Sequence, residues 1–238
     1  MTAGGSQKVA VITGASQGIG AGLVPAYRKL GYAAVATSRT IAESQDADVL
    51  AVQGDIGDPA TADRVINAAL ERFSRVDTLV NNAGIFVAKP FIDYTEADFA
   101  STIAVNVAGF FRMTRLAVQQ MLAQGGGHVV NITSSLVDNA HSNIPSVLAS
   151  LTKGGVQSAT KSLAIEYATR GIRANAVSPS IIKTPMHAEE QHEALGELLP
   201  VGRMGEVSDI VDAVIYLENA PYVTGEILHV DGGQSAGG

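Results

Sequence analysis

Seven short apolar runs, most of them followed by a longer segment of helical periodicity, constrain this chain more than any other feature. They are "KVAVIT" (8–13), "YAAVATS" (32–38), "DVLAVQGD" (48–55), "VDTLVNNAG" (76–84), "GHVVNIT" (127–133), "IRANAVSP" (172–179) and "EILHVDGG" (226–233). Between them, "GIGAGLVPAYRKLG" (18–31), "ATADRVINAALERF" (60–73), a long stretch at about 96–124 and a helix carrying Lys153 to about residue 170 read as helical. Strand–helix alternation predicts an α/β fold with a parallel sheet and helices on both faces. Right-handed crossovers place the ligand crevice at the carboxyl ends of such strands, so the residues just after each strand are the functional candidates. With no internal repeat, charge block or Pro/Ser-rich linker, residues 1–238 read as a single domain.

Composition closes several other routes. Apolar residues at 46% and charged residues at 16% suit a compact chain rather than a disordered one. The net charge of −7 speaks against nucleic acid as a partner. With no cysteine, disulfides, thiolate metal sites and a cysteine nucleophile are excluded. No run of about 18 apolar residues is present to span a membrane. "MTAGGSQ" has neither the basic nor the apolar region of a signal peptide, which makes the cytoplasm the expected location.

The first strand runs into "TGASQGIG" (13–20). Gly14 suits a tight turn, Gly18 and Gly20 permit close backbone approach, and the N–H groups at the helix start suit a pyrophosphate. The loop residues Ser16, Gln17 and Ile19 belong to the same cradle. The spacing is G-x-x-x-G-x-G rather than the general dinucleotide G-x-G-x-x-G. The second strand ends in Ser38 and Arg39, with no acid to take a ribose 2′-OH, so the site is expected to prefer NADP(H) over NAD(H). Asp55, followed by Ile56, stands where a carboxylate can accept from an adenine amino group.

"TGASQGIG", "NNAG" (81–84), "NVAG" (106–109), "NITSS" (131–135), Lys153, "VSPSIIKTPM" (177–186) and "VTGEILHVDGG" follow one another in the order and spacing of the short-chain dehydrogenase/reductase family. The chain resembles that family from about Lys8 to Gly233. The resemblance implies a Rossmann-type, doubly wound sheet of seven parallel strands, with nicotinamide at the carboxyl edge and dimers or tetramers built through the two long helices. It implies that Asn82, Ala83 and Gly84 flank the adenosine ribose, and that Pro179, Ile182 and Thr184 help hold the nicotinamide and phosphates. Ser180 replaces the family's usual glycine. It further implies that Asn106 holds a water, that Ser134 hydrogen-bonds the substrate oxygen, and that Lys153 holds the nicotinamide ribose and tunes a tyrosine four residues earlier.

That tyrosine is absent. Position 149 is alanine, and the flanking "KGG" and "SLAIEYATRGIRANAVSP" fix the register. Positions i and i+4 share a helix face, so a phenol there would sit beside the ammonium and have its pKa lowered by it. A methyl group neither donates nor accepts a proton. Tyr167 lies about four turns too far on. The preceding loop "SLVDNAHSNIPSV" is longer than the family's by a residue or two and is able to bring in another group. Four replacements are considered: His141, Ser135, Ser150 (about 100° around the helix) and water held by Asn106 and Lys153.

The remaining features are less directed. "HAEEQH" is not the H-E-x-x-H motif, and no metal site is expected. Residues 186–199 resemble the family's mobile lid; Met186, Leu195, Leu198 and Leu199 either cover an apolar substrate or pack on the core. Ser150, Gly154, Gly155 and Ser158 are expected to serve close helix packing. The chain is therefore expected to be an NADP(H)-dependent oxidoreductase acting on a small carbonyl or alcohol, with an atypical active site. The alternative is a weak or inactive NADP(H)-binding sensor or structural oligomer partner.

Overall fold

The computed structural model describes residues 7–237; most of "MTAGGSQ", and residue 238, lie outside the described residues. The strands are β1 (Val9–Thr13), β2 (Ala33–Ser38), β3 (Val49–Gln53), β4 (Thr78–Asn81), β5 (Gly127–Ile132), β6 (Ile172–Pro179) and β7 (Ile227–Val230). They form one all-parallel sheet in the order β3-β2-β1-β4-β5-β6-β7. The helices are α1 (Gly18–Lys29), α2 (Pro59–Phe73), α3 (Glu96–Thr102), α4 (Phe110–Gln124), α5 (Val147–Tyr167), α6 (His192–Glu197) and α7 (Val207–Asn219).

Both faces of the sheet are covered, which is why the strands lack a polar alternation. Along β1, Val9 and Val11 join one core with Val65 and Ala69 of α2, Met113 and Met121 of α4 and Ala164 of α5. Ala10 and Ile12 join the other core with Leu23 and Tyr27 of α1 and Ile210, Val214 and Leu217 of α7. This is the Rossmann-type doubly wound sheet expected from the sequence. The strand order reverses beside β1 and β4, and a crevice opens there at the carboxyl ends.

Two elements differ from the sequence reading. The stretch at 96–124 is not one helix, because residues Ile103–Gly109 between α3 and α4 are wound as a π-helix. That stretch carries Asn106, whose buried side chain hydrogen-bonds the N–H and carbonyl of Ile85. Helix α7 was not anticipated between the sixth and seventh strands. Its buried Ile210, Ala213, Val214 and Leu217 follow a clear i, i+3, i+4, i+7 pattern, and Glu206 and Asp209 form a reciprocal cap at its start.

Candidate active site

The crevice has a volume of about 680 Å³, within the range of small-molecule sites. Its nucleotide end is built where β1 turns into α1. Gly14 (φ 67°) and Gly18 (φ 55°) take left-handed conformations, and a Cβ on Gly20 would lie 2.3 Å from the Gly14 carbonyl oxygen. Gly14, Ser16, Gln17, Gly18 and Ile19 line the crevice, while Gly20 packs behind it. Helix α1 begins at Gly18 with no side-chain cap on its first N–H groups. These groups, at the positive end of a twelve-residue helix, fit an incoming pyrophosphate.

β4 braces this loop. Thr13 Oγ1 accepts from the N–H groups of Asn82 and Ala83 at 3.0 Å each, and Asn82 Nδ2 donates to the carbonyls of Thr13 (2.9 Å) and Gly14 (3.2 Å). The Asn82 amide is thus committed to holding the loop, although Asn82, Ala83 and Gly84 also line the crevice. Ser38, Arg39, Asp55 and Ile56 line its far end. Asp55 Oδ1 accepts from Gly57 N–H at 2.8 Å. Arg39 has no carboxylate partner among the described residues. Thr37, near the end of β2, has a buried hydroxyl without a hydrogen-bond partner among the described residues. An uncapped helix start, a free guanidinium and an orphaned hydroxyl together fit a phosphorylated dinucleotide.

At the other end, Ser134 follows β5, and its Oγ accepts the Leu136 N–H at 3.3 Å. Lys153 reaches across from α5 and donates to the Ile132 carbonyl at 2.7 Å. Burial pushes the Lys153 pKa down to about 8. The Asn106 side chain accepts from Ile85 N–H (2.9 Å) and donates to the Ile85 carbonyl (3.0 Å) and to Thr152 Oγ1 (3.2 Å). It fixes the backbone beside Gly84 and does not line the main crevice. A void of about 10 Å³ lies between Asn106 and Lys153. Ala149, only 4% exposed, lines the crevice on the turn before Lys153. Ser135 lines the crevice too, but its hydroxyl donates to Gln234 Oε1 at 2.9 Å. Ser150 Oγ is turned to the Leu136 carbonyl, and His141 does not line the crevice; its Nδ1 accepts from Asn143 N–H. Pro179, Ser180, Ile182 and Thr184 complete the wall.

Residues 14–235 match the family model described as enoyl-(acyl carrier protein) reductase. The chain is 35% identical over 239 residues to a 3-oxoacyl-[acyl-carrier-protein] reductase of Synechocystis, covering 95% of this chain and 96% of the relative. The chain belongs to the short-chain dehydrogenase/reductase family. Another member, 3beta-hydroxysteroid dehydrogenase 1 of Eggerthella lenta, is 36% identical over 250 residues, covering 96% of this chain and 94% of that protein. Among solved structures, ElxO with NADP bound superposes with a TM-score of 0.90 at 29% identity, covering 97% of this chain and all of that one. A 3-ketoacyl-(acyl-carrier-protein) reductase from Brucella melitensis complexed with NADH gives 0.88 at 33% identity, covering 96% and 98%.

Several lining residues of this family member were not singled out from the sequence: Phe86, Asn143, Ile144 and Gln234, and, within the 186–199 segment, His187 and Gln191. Gln234 arrives from the far end of the chain, on a turn that Asp231 fixes by accepting from the N–H groups of Gly233 (3.0 Å) and Ser235 (2.8 Å). The segment at 186–199 divides its apolar residues. Met186 and Leu195 line the crevice, Leu199 packs inward and Leu198 stays on the surface. His187 also lines the crevice; burial, with His192 nearby, lowers its pKa. Gly155 and Ser158 face outward, Ser150 bonds the Leu136 carbonyl, and a Cβ on Gly154 would meet Val137, whereas one on Gly155 would meet nothing within 4 Å among the described residues.

Proposed function

We propose that this chain is an NADP(H)-dependent oxidoreductase of one Rossmann domain and a lid at about 186–199, interconverting a small carbonyl compound and its alcohol, with Ala149 at the family's tyrosine position. The observation that carries this reading is the placement of Ala149 and Lys153 on successive turns of α5 along one crevice wall. The bound nicotinamide supplies the hydride chemistry. Gly14, Ser16, Gln17, Gly18 and Ile19 hold the pyrophosphate, Ser38 and Arg39 the 2′-phosphate, and Asp55 and Ile56 the adenine. Ser134 orients the substrate oxygen. Lys153 holds the ribose and places positive charge where negative charge develops on that oxygen. Asn106 keeps Gly84 and Ile85 against the ammonium, and the small void beside it has room for at most one water near Lys153. Losing a general acid costs about 10²–10⁴ in rate, so turnover is slow but finite.

The test follows NADPH absorbance with a panel of ketones and aldehydes, beside a calorimetric titration of NADPH. Failure of NADPH to bind sinks the assignment. Tight binding without turnover on any carbonyl favours the sensor or structural role instead. We also assign a homodimer or homotetramer to the face of α4 and α5, which exposes Phe111, Val147, Leu151 and Ile165. Only monomer in sedimentation at micromolar concentration would refute it.

A further inference from the structure

Lys153 has three N–H donors and one acceptor, the Ile132 carbonyl. No carboxylate pairs with it among the described residues. Asp55 is the single carboxylate lining the crevice, and it lies after β3 with one oxygen on Gly57 N–H. The other ionisable group on the reacting side is His187 of the lid, which adds no negative charge. Loop 135–146 contributes Ser135, Leu136, Asn143 and Ile144 to the crevice, none of them ionisable. One turn before the ammonium, the wall is the methyl group of Ala149. A half-buried ammonium beside a recess without an anion has no counter-charge within the site. A ribose hydroxyl, being neutral, satisfies a donor but not the charge.

We propose that the recess beside Ala149 is a subsite for an acidic hydroxyl of the ligand, a phenol or enol, held as its anion against Lys153. This rests on the oxidoreductase reading for its biological use, since it makes the preferred substrate a carbonyl compound that carries its own phenolic or enolic group. It does not need that reading for its test. Burial also lowers the ammonium's own pKa, so the free protein offers a cation below about pH 8, and the paired hydroxyl must be acidic enough to lose its proton to solvent within that range.

The probe is 4-nitrophenol, whose phenolate absorbs in the visible, with 4-nitroanisole as a control of like shape without an ionisable hydroxyl. Nitrophenol is expected to bind the nucleotide-free protein saturably as the phenolate, about ten- to a hundred-fold more tightly than nitroanisole. Lys153→Met should erase that preference. Ala149→Phe, or Ala149→Leu if the larger ring unfolds the helix, should block both compounds. Equal affinities for the two probes, no phenolate signal, or a signal that survives both the Lys153 and the Ala149 variants would each overturn the subsite. NADPH titration of the unsubstituted protein separates the two failures: absence of NADPH binding strikes the oxidoreductase reading, whereas absence of the phenolate signal with NADPH binding intact strikes only the subsite.

Discussion

The two edges of the sheet handle polar groups in opposite ways. At the amino edge, the Glu218 carboxylate near the end of α7 accepts from Tyr27 Oη (3.1 Å), Tyr32 Oη (2.9 Å), Thr78 Oγ1 (3.1 Å) and His128 Nδ1 (3.0 Å). His128 Nε2 in turn faces Asn175 Nδ2 at 3.0 Å, and the Asn175 side chain is oriented by Glu226 N–H and the Val223 carbonyl. With Nε2 accepting from Asn175, Nδ1 carries the proton that points at Glu218; burial lowers the ring's pKa. Burial alone would raise the Glu218 pKa, but the hydrogen bond from His128 and its charge interaction with that ring, with the bonds from Tyr32 and Tyr27, outweigh it and hold the carboxyl below the usual range. At the carboxyl edge, Thr37 and Ser178 bury hydroxyls without partners, Lys153 has one carbonyl, and α1 starts uncapped. A closed network ties helices to strands, whereas an open one leaves polar groups for a ligand. One sheet thus divides stability and function between its two edges.

The largest expected effect tests the open edge. Ala149→Tyr restores a phenol one turn from Lys153 and should raise turnover about 10²–10⁴-fold if loop 135–146 leaves room for the ring. It should also add a limb to the pH–rate profile that the parent protein lacks. A variant with intact NADPH affinity and unchanged turnover at every pH would mean that the loop occupies the ring's place or that a different group already donates the proton. His187→Ala decides the second case, since only a proton-donating lid histidine would make turnover collapse there.

Glu218→Ala tests the closed edge. It strands four buried donors and should lower stability by about 3–5 kcal/mol, a fall of about 10 °C in Tm. NADPH affinity of the folded fraction should stay the same. Because the folded-state pKa of Glu218 is depressed, its stabilisation is fully present above the unfolded value of 4.5 and is lost as pH falls toward the folded value. Urea midpoints at pH 7 and pH 3 should therefore differ less for Glu218→Ala than for the parent. A matching loss of NADPH affinity would show that the two edges are coupled.

The open edge was more legible in the sequence than the closed one, for a physical reason. Ligand loops need residue types that regular structure avoids, and Gly14, Gly18 and Arg39 stand next to their strands where they act. The alternation of buried strands and helices likewise exposed the sheet. Glu218, Tyr27, Thr78 and His128 come from four distant segments, and nothing local distinguishes a carboxylate with four donors from one in water. Gln234 was invisible for the same reason, since its position depends on a turn after the last strand. Asn82 was read for its ligand role, whereas its amide holds the loop. The π-helix around Asn106 leaves no periodic signature in an already apolar stretch, but α7 carried a plain one.

Arg39→Asp is the next smaller effect. Charge-assisted bonds to a 2′-phosphate contribute about 1.5–3 kcal/mol, so the variant should lose about ten- to a hundred-fold in NADPH affinity and come to prefer NADH. Its Tm should hold, because the guanidinium makes no ion pair within the described chain. Equal affinities of the parent for both nucleotides would remove Arg39 from the site.

The smallest effects give the sharpest contrast, because the same isosteric change can be made at both edges. Thr78 begins β4 and Thr37 lies near the end of β2; both side chains are buried. Thr78 Oγ1 donates to Glu218, so Thr78→Val removes a hydrogen bond to a charged acceptor and should cost about 1.5–3 kcal/mol. Thr37 Oγ1 donates to nothing, so Thr37→Val replaces an unpaired buried hydroxyl with a methyl group and should be neutral or stabilise by about 1 kcal/mol. Calorimetric NADPH titration should reverse the order: Thr78→Val leaves affinity alone, while Thr37→Val loses about two- to tenfold because Thr37 is one of the residues lining the crevice. Equal destabilisation by the two variants would mean that the Thr37 hydroxyl is satisfied in solution. The contrast between the edges would then rest on Lys153 and the start of α1 alone. Stabilisation by Thr37→Val together with weaker NADPH binding would show directly that the open edge gives up folding stability for its ligand.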